Sequence, residues 1–367
     1  MQQTQGGAGD GSSPGIAANG KAMITYKSLC VFRHGGPEVL EVVENELRPP
    51  AAGEVRIRVL AASVGRPDVT ARQGKALYTG TPLEQKLPFT PGYAVIGEAE
   101  AAGDGVDQAV VGKRVGALTV IGGYTEYIYW RSDRLIPIPD GLDLAEAVTI
   151  LLNYIVAYQA LHRSAKARAG EKALIVGASG GIGTALLQLG QLAGLQMYAI
   201  ASRSKQAIAA AYGATPIDYH TQDFAEVIRQ HEPDGIDVVL DGMMQLNYIH
   251  GSLPLLRRGG RIVSFGEPAS RGELFRILAT AVGTNLLPNG KSLKLYGTST
   301  YFLFDRRPYL EDWAVLFRLL GERKIAPVIA ARFPILEAAR ANALLESGQV
   351  IGNVVLLTPA LLTEGNT

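Results

Sequence analysis

Hydrophobic and polar positions follow two different rhythms along the chain, and the change of rhythm divides it. From residue 28 to residue 129, short β-rich runs are separated by Gly and Pro turns. In Glu54-Val55-Arg56-Ile57-Arg58-Val59-Leu60, apolar and charged residues alternate with the period of two that buries one face of a strand and wets the other. This texture predicts a mostly antiparallel β domain. Near Asp140 it changes, and from Ala145 a helical run passes through Ile150-Leu151-Leu152 to Leu161. Short apolar runs then recur at residues 173–176, 196–201, 236–240, 261–265 and 293–296, spaced by helical segments, as in a parallel sheet buried on both faces. After Gly297 the pattern predicts one amphipathic helix near residues 311–320. Two short segments follow, the last ending in Val354-Val355-Leu356-Leu357, which are expected to rejoin the first domain. No internal repeat is visible.

The first apolar run of the second domain, Ala173-Leu174-Ile175-Val176, leads straight into Gly177-Ala178-Ser179-Gly180-Gly181-Ile182-Gly183 and then into a predicted helix reaching about Ala193, with Gly194 as its stop. A glycine turn between a strand and a helix start suits a dinucleotide. Gly180 lets the backbone approach a pyrophosphate, Gly183 permits close helix-to-strand packing, and the unpaired N–H groups of the helix start receive the anion. Ala178 stands where the usual first glycine would be. The bland alternative is a tight turn that binds nothing.

The next strand is expected to end near Ala201-Ser202-Arg203-Ser204-Lys205. An acidic residue there normally receives the ribose 2′-OH of NAD, and this stretch has none. A like charge about 4 Å from a 2′-phosphate costs about 4 kcal/mol per unit pair at an intermediate dielectric, and Arg203 and Lys205 reverse that sign. Ser202, Arg203 and Lys205 therefore point to NADPH, unless the two cations are only solvated helix-start charges.

Composition narrows the partners. With 367 residues two domains are expected, and a formal net charge of +1 with 19% charged residues gives no electrostatic preference for nucleic acid or an acidic membrane. A small-molecule partner is expected. One cysteine, Cys30, excludes an intrachain disulfide and any zinc site needing two thiolates, and it fits a reducing, cytoplasmic setting. The first 22 residues, rich in Gly, Ser, Ala and Gln, are expected to be a disordered tail without the apolar run of a signal peptide. Residues 274–288 are apolar but interrupted and shorter than a bilayer span of about 20 residues, so no transmembrane segment is expected there. They read either as a cover for a substrate cleft or as an ordinary buried helix.

Several stretches together carry a family resemblance: Arg66-Pro67-Asp68-Val69-Thr70-Ala71-Arg72-Gln73-Gly74, Thr90-Pro91-Gly92-Tyr93, Asn153-Tyr154-Ile155-Val156-Ala157-Tyr158, the glycine turn, Ile217-Asp218-Tyr219-His220 and Ile351-Gly352-Asn353-Val354-Val355-Leu356. From about residue 22 to residue 358 the chain resembles the quinone oxidoreductase (zeta-crystallin) branch of the medium-chain dehydrogenase/reductase superfamily, nearest to its vesicle amine transport protein homologues. The resemblance implies an α/β fold: a GroES-like β domain on the substrate side, a Rossmann domain with a doubly wound parallel sheet holding NADPH, and a cleft between them. The expected boundaries are 23–147 with 301–360 for the GroES-like catalytic domain, 148–300 for the Rossmann domain and 361–367 for a C-terminal tail. A homodimer formed through the cofactor domains is also implied.

By motif position, the resemblance puts Asn153, Val156, Ser179, Gly180, Gly181, Ile182 and Gly183 at the cofactor. It puts Tyr219 beside the adenosine 2′-phosphate, Phe265 and Gly266 beside the nicotinamide ribose, and Asn353 where many relatives have Lys. Zinc-dependent relatives have a Cys and a Gly-His-Glu stretch where this chain has Gly65 and Gly92-Tyr93-Ala94, and zinc-free relatives commonly carry Asn at the Gly65 position. The five histidines show no ligand spacing. Without a Lewis acid, a conjugated acceptor is favoured, because hydride arrival on a quinone or an α,β-unsaturated carbonyl gives an anion that is already delocalised. Candidate catalytic residues are Arg66, Asp68, Tyr78 and Tyr93, although Asp68 is also suited to fixing its loop through backbone hydrogen bonds. Two other readings stay open: an enoyl reductase acting on an acyl-thioester or polyketide-like substrate, and an NADPH-binding interaction protein with little turnover.

Overall fold

The computed structural model describes residues 23–76, 79, 84–298, 302 and 305–364. Tyr78 lies outside the described residues.

The β-rich half starts with an antiparallel pair, β1 (Thr25–Val31) and β2 (Leu40–Glu46). Then come β3 (Glu54–Val64), β4 (Ala94–Ala102), β5 (Arg114–Leu118), β6 (Tyr127–Arg131) and β7 (Ile136–Pro137). The chain's last two strands, β14 (Ile329–Pro334) and β15 (Asn353–Leu357), join them in a seven-stranded sheet of order β14-β15-β3-β4-β5-β7, with β6 on β3. The alternation read at Glu54 is real: Val55, Ile57 and Val59 are fully buried, whereas Arg56 and Arg58 reach outward to Glu100 and Glu98.

The second half holds a six-stranded parallel sheet built from β8 (Lys172–Val176), β9 (Gln196–Ile200), β10 (Thr215–Ile217), β11 (Ile236–Asp241), β12 (Leu256–Ser264) and β13 (Ser292–Leu295). Its order, β10-β9-β8-β11-β12-β13, reverses direction between β8 and β11. That is the doubly wound arrangement, with its crevice at the carboxyl ends of these two strands.

The helices are α1 (Arg66–Arg72), α2 (Leu144–Ser164), α3 (Gly181–Leu192), α4 (Gln206–Ala211), α5 (Phe224–His231), α6 (Leu246–Ser252), α7 (Arg271–Leu286), α8 (Arg307–Gly321), α9 (Ala338–Glu346) and α10 (Pro359–Glu364). The expected domain boundary at 147/148 falls inside α2. Its first turns pack on the seven-stranded sheet and its later turns on α3, so one hydrophobic core runs from Ile96 and Leu118 through Leu151 and Ile155 to Ile175 and Leu186. Among the described residues α2 alone has the length and hydropathy of a membrane span, and most of it is buried within the protein, as in a core helix.

Three other expectations are amended. α9 was not anticipated, because its Ala-rich sequence shows little apolar periodicity, yet Ala338 and Ala341 are fully buried under β14 and β15. The stretch expected as a tail from residue 361 begins inside α10, whose Leu361 and Leu362 pack against the main core. α7 is not an ordinary buried helix: Phe275, Leu278, Val282 and Leu286 are exposed, on a helix that flanks β13, one of the two edge strands of the parallel sheet among the described residues.

Candidate functional site

The glycine turn leaves β8 at the reversal point. Gly177 has φ +79°, a left-handed conformation that suits glycine, and a Cβ there would sit 3.5 Å from Met243 Sδ at the end of β11. Gly183 is packed so closely on the turn that a Cβ would collide with the Gly177 carbonyl oxygen, which is the tight helix-to-strand contact read from the sequence. Gly180 is the N-cap of α3 and is exposed; a Cβ on it would meet nothing nearer than 3.8 Å. The turn thus has a packed side and an open side, and the open side carries the helix N-terminus. This cradle fits a dinucleotide pyrophosphate.

Two amides flank it. α2 widens into a π-helical turn at Ile150–Tyr154, and this turn brings Asn153 Nδ2 to donate to Asn353 Oδ1 at 2.6 Å. Both amides lie where a Cβ on Gly181 would be. Asn353 is held from behind, its Nδ2 donating to Val328 O at 3.0 Å. Gly352 N donates to Ser179 O at 2.9 Å, so the approach to β15 is strapped to the glycine turn. Val156, one turn beyond Asn153, is buried in the core and offers only apolar surface. Ile182 is half-buried.

Where the resemblance puts the adenosine, Arg203 is exposed just past β9 and Ser202 Oγ lies 3.4 Å from Ser204 Oγ. Lys205 is committed differently. Its ammonium donates to Val350 O at 2.9 Å and to Gly348 O, tying the start of α4 to the loop before β15. Tyr219 is exposed and stacks on His220 with ring centroids 4.1 Å apart.

At the far end of the crevice, Phe265 and Gly266 follow β12. Gly266 lies so close to β11 that a Cβ would come within 2.5 Å of Gly242 O. Asp241, which the sequence reading passed over, locks these strand ends together. It is buried and accepts from Ser264 Oγ (2.7 Å), Met243 N (2.9 Å) and Met244 N (3.1 Å), and burial raises its pKa.

The opposite wall comes from the β domain. Gly65 caps α1, whose third residue, Asp68, accepts from Gly65 N at 2.8 Å through one oxygen and from Gly92 N at 3.0 Å through the other. Asp68 is buried beside Tyr124, and burial pushes its carboxyl up to about 7. Asp68 is therefore the clamp joining the two segments that carry Gly65 and Gly92, rather than a group presented to the cleft. Gly92 needs its φ of +113°, because its backbone lies against Gly123 and Tyr124. Tyr93 is 9% exposed and packs in the core shared by both domains. Behind the clamp, Tyr124 and Arg72 meet at Asn342, and the fully buried Arg72 pairs with Glu346 at 2.7 Å and donates to Gly35 O.

Arg66 is exposed and makes no hydrogen bond or ion pair through its side chain to another described residue. In the cofactor domain, the sequence reading also missed Glu267, although it directly follows Phe265-Gly266. Its carboxyl is near enough to α1 to feel the Arg66 charge, while the Thr70 hydroxyl donates back along its own helix to Arg66 O and Pro67 O (3.2 Å each). Solvent reaches the side chain, but the cleft walls crowd it, and this loss of water raises its pKa. No group of three His, Cys, Asp or Glu able to hold a metal occurs among the described residues.

A GroES-like sheet and a doubly wound sheet that enclose a dinucleotide cradle define a nicotinamide-dependent reductase of the medium-chain type. Residues 51–140 match the family model described as alcohol dehydrogenase GroES-like domain, and residues 212–356 match that described as zinc-binding dehydrogenase. The rat quinone oxidoreductase is 30% identical over 340 residues, covering 90% of this chain and 97% of that protein. The zebrafish synaptic vesicle membrane protein VAT-1 homolog is 29% identical, covering 93% of this chain and 72% of its own length. A mycobacterial protein solved in complex with NADPH superposes with a TM-score of 0.74 at 27% identity, covering 90% of this chain and 99% of that one. The chain belongs to the quinone oxidoreductase branch of the medium-chain dehydrogenase/reductase superfamily.

Proposed function

We propose that the protein is a zinc-independent reductase that passes hydride from NADPH to a quinone or an α,β-unsaturated carbonyl. The observation that carries this is the pairing of a dinucleotide cradle with an acceptor wall whose ligand positions are Gly65, Gly92, Tyr93 and Ala94, none of them a thiolate, imidazole or carboxylate. NADPH is favoured over NADH by Arg203, exposed past β9 with no acid beside it, and by the exposed Tyr219.

When bound, the cofactor supplies the hydride. The chain's own part is to hold and orient. Gly180 and the start of α3 receive the pyrophosphate, and Asn153 and Asn353 fix the floor of the cradle beside Gly181. Asp68 holds the two acceptor-side loops at a set spacing. A conjugated acceptor spreads its incoming charge, so a few hydrogen-bond donors and a proton from solvent serve where a metal would otherwise be needed. The homodimer implied by the resemblance has a suitable surface in the edge strand β13 and the exposed apolar face of α7; such a pairing reads in solution as twice the chain mass.

The test is NADPH oxidation with 1,2-naphthoquinone and 9,10-phenanthrenequinone, run beside simple enals and a crotonyl thioester. Turnover on the quinones or enals supports the proposal. Turnover on the thioester alone replaces it with an enoyl reductase, and tight NADPH binding with no oxidation of any acceptor leaves a binding protein.

A further inference from the structure

The cofactor crevice holds a thioether that no step of the proposed reaction uses. Met243 follows the end of β11, and its Sδ lies 3.5 Å from where a Cβ on Gly177 would stand, against the glycine turn. On the other side Gly266 packs so closely that a Cβ there would come within 2.6 Å of the Met243 carbonyl carbon. Met243 therefore stands between the glycine turn and the Phe265-Gly266 strand end. Its backbone is pinned: Met243 N and Met244 N both donate to Asp241 Oδ1, at 2.9 Å and 3.1 Å, and Met244 is held at φ +50°, in the left-handed region that favours glycine. This pinning fixes where the Met243 side chain leaves the backbone. Met243 is 38% exposed, whereas Met197 and Met244 are buried. Met23, ahead of β1, is the other exposed methionine among the described residues.

We propose that Met243 is a peroxide-sensitive site, at which oxidation of the thioether to the sulfoxide weakens binding of the nicotinamide cofactor. This rests on the cofactor placement given above: a dinucleotide lying from the glycine turn to Phe265-Gly266 covers the Met243 side chain. In the step, the O–O bond of a hydroperoxide breaks and an S–O bond forms at Sδ. The sulfur is oxidised by two electrons, and with hydrogen peroxide the second oxygen leaves as water. A flexible apolar side chain becomes a polar one whose oxygen carries partial negative charge, beside a cradle suited to an anion. The proposed reaction also supplies a source of the oxidant, since a hydroquinone that returns two electrons and two protons to dioxygen releases hydrogen peroxide. Oxidation at Met243 then slows further turnover by unloading the cofactor.

The test exposes the protein to millimolar hydrogen peroxide, with and without saturating cofactor, and locates the added oxygen by peptide mass. Affinity for NADPH and for NADH is measured before and after by fluorescence titration. Met243 is expected to gain an oxygen in the free protein and to do so about fivefold more slowly with cofactor bound. Its oxidation should weaken the tighter-binding cofactor about tenfold. Methionine sulfoxide reductase restores the affinity, whereas dithiothreitol alone, which would act on an oxidised Cys30, does not. In Met243→Leu, peroxide moves the affinity less than about twofold from that variant's own starting value, and Met23→Leu responds as the wild type does. The proposal is overturned if oxidised Met243 leaves the affinity within about twofold, if cofactor does not slow the oxidation, or if peroxide weakens Met243→Leu as much as the wild type. Peroxide is added directly and the readout is binding, so a protein that reduces no acceptor refutes the proposed reaction and leaves this test readable. If the untreated protein binds neither cofactor, the cofactor placement and the proposal fall together.

Discussion

The two walls of the cleft are made of different material. The cofactor wall is mostly backbone: a glycine turn, a helix start and the ends of parallel strands, trimmed by the Asn153–Asn353 amide pair. The acceptor wall is mostly buried side chain. There Tyr124, Asn342, Arg72 and Glu346 run as one polar network behind the two loops that Asp68 clamps. A backbone site tolerates changes of surface side chains and is sensitive to an added Cβ. A side-chain network behaves the other way, since each member leaves a buried partner unsatisfied when it is removed.

The sharpest way to separate the walls is Arg72→Met. It removes a fully buried guanidinium and its donors to Gly35 O, Asn342 Oδ1 and Glu346 Oε2. Breaking such a buried pair costs about 3–5 kcal/mol. The first thermal transition should fall by many degrees, while NADPH affinity of the folded protein stays within about twofold of wild type. A large loss of NADPH affinity would mean that the walls are not independent.

Smaller and specific to the same wall is a pH effect at Asp68. An ordinary aspartate ionises near 3.8, and burial moves this one up to about 7, so the folded protein keeps a proton that the unfolded chain has already released. The associated stability is full at low pH and is lost as pH rises through the interval from about 4 to about 7. Between about pH 5 and pH 7.5 the wild type should lose on the order of 2 kcal/mol relative to Asp68→Asn, measured as denaturation midpoints. A wild type that gains on the variant over that interval would reverse the assignment.

Arg203→Glu probes the cofactor wall at one of its few side-chain positions. NADPH affinity should drop about thirtyfold, about 2 kcal/mol, with NADH changed less than about threefold. Equal losses for both would remove Arg203 from the 2′-phosphate site. Lys205 is a poorer probe, because its ammonium already holds the carbonyls of Gly348 and Val350.

The same contrast decides what could be read in advance. The cofactor wall is local in sequence: Val176, the turn and the start of α3 are consecutive, and the demands that strand, glycine and helix make on the backbone are visible in their order. The acceptor wall depends on meetings between distant residues, such as Arg72 with Glu346, 274 positions apart. Nothing in the local pattern around Arg72 announces that it is buried, and an arginine in a short polar helix reads as surface. Asp68 was visible as an acid near the site, but only its two backbone partners show that it is a clamp. Glu267 carried a usable signal, since a strand-end Phe-Gly followed by an acid places that acid at the carboxyl edge of the sheet by topology alone.

β15 is an inner strand of the first domain's sheet, between β14 and β3, and its first residue is Asn353. A ribosome therefore releases the strands of one domain, then the whole of the other, before it delivers the piece that fills the gap. Until then β3 has an open edge, and the glycine turn lacks the strap from Gly352. In the cell the nascent β domain must wait, with an unfinished edge that could pair wrongly, through the synthesis of nearly 300 residues after β3 begins at Glu54. The two walls are thus completed together, by one strand that is made after both domains' other strands.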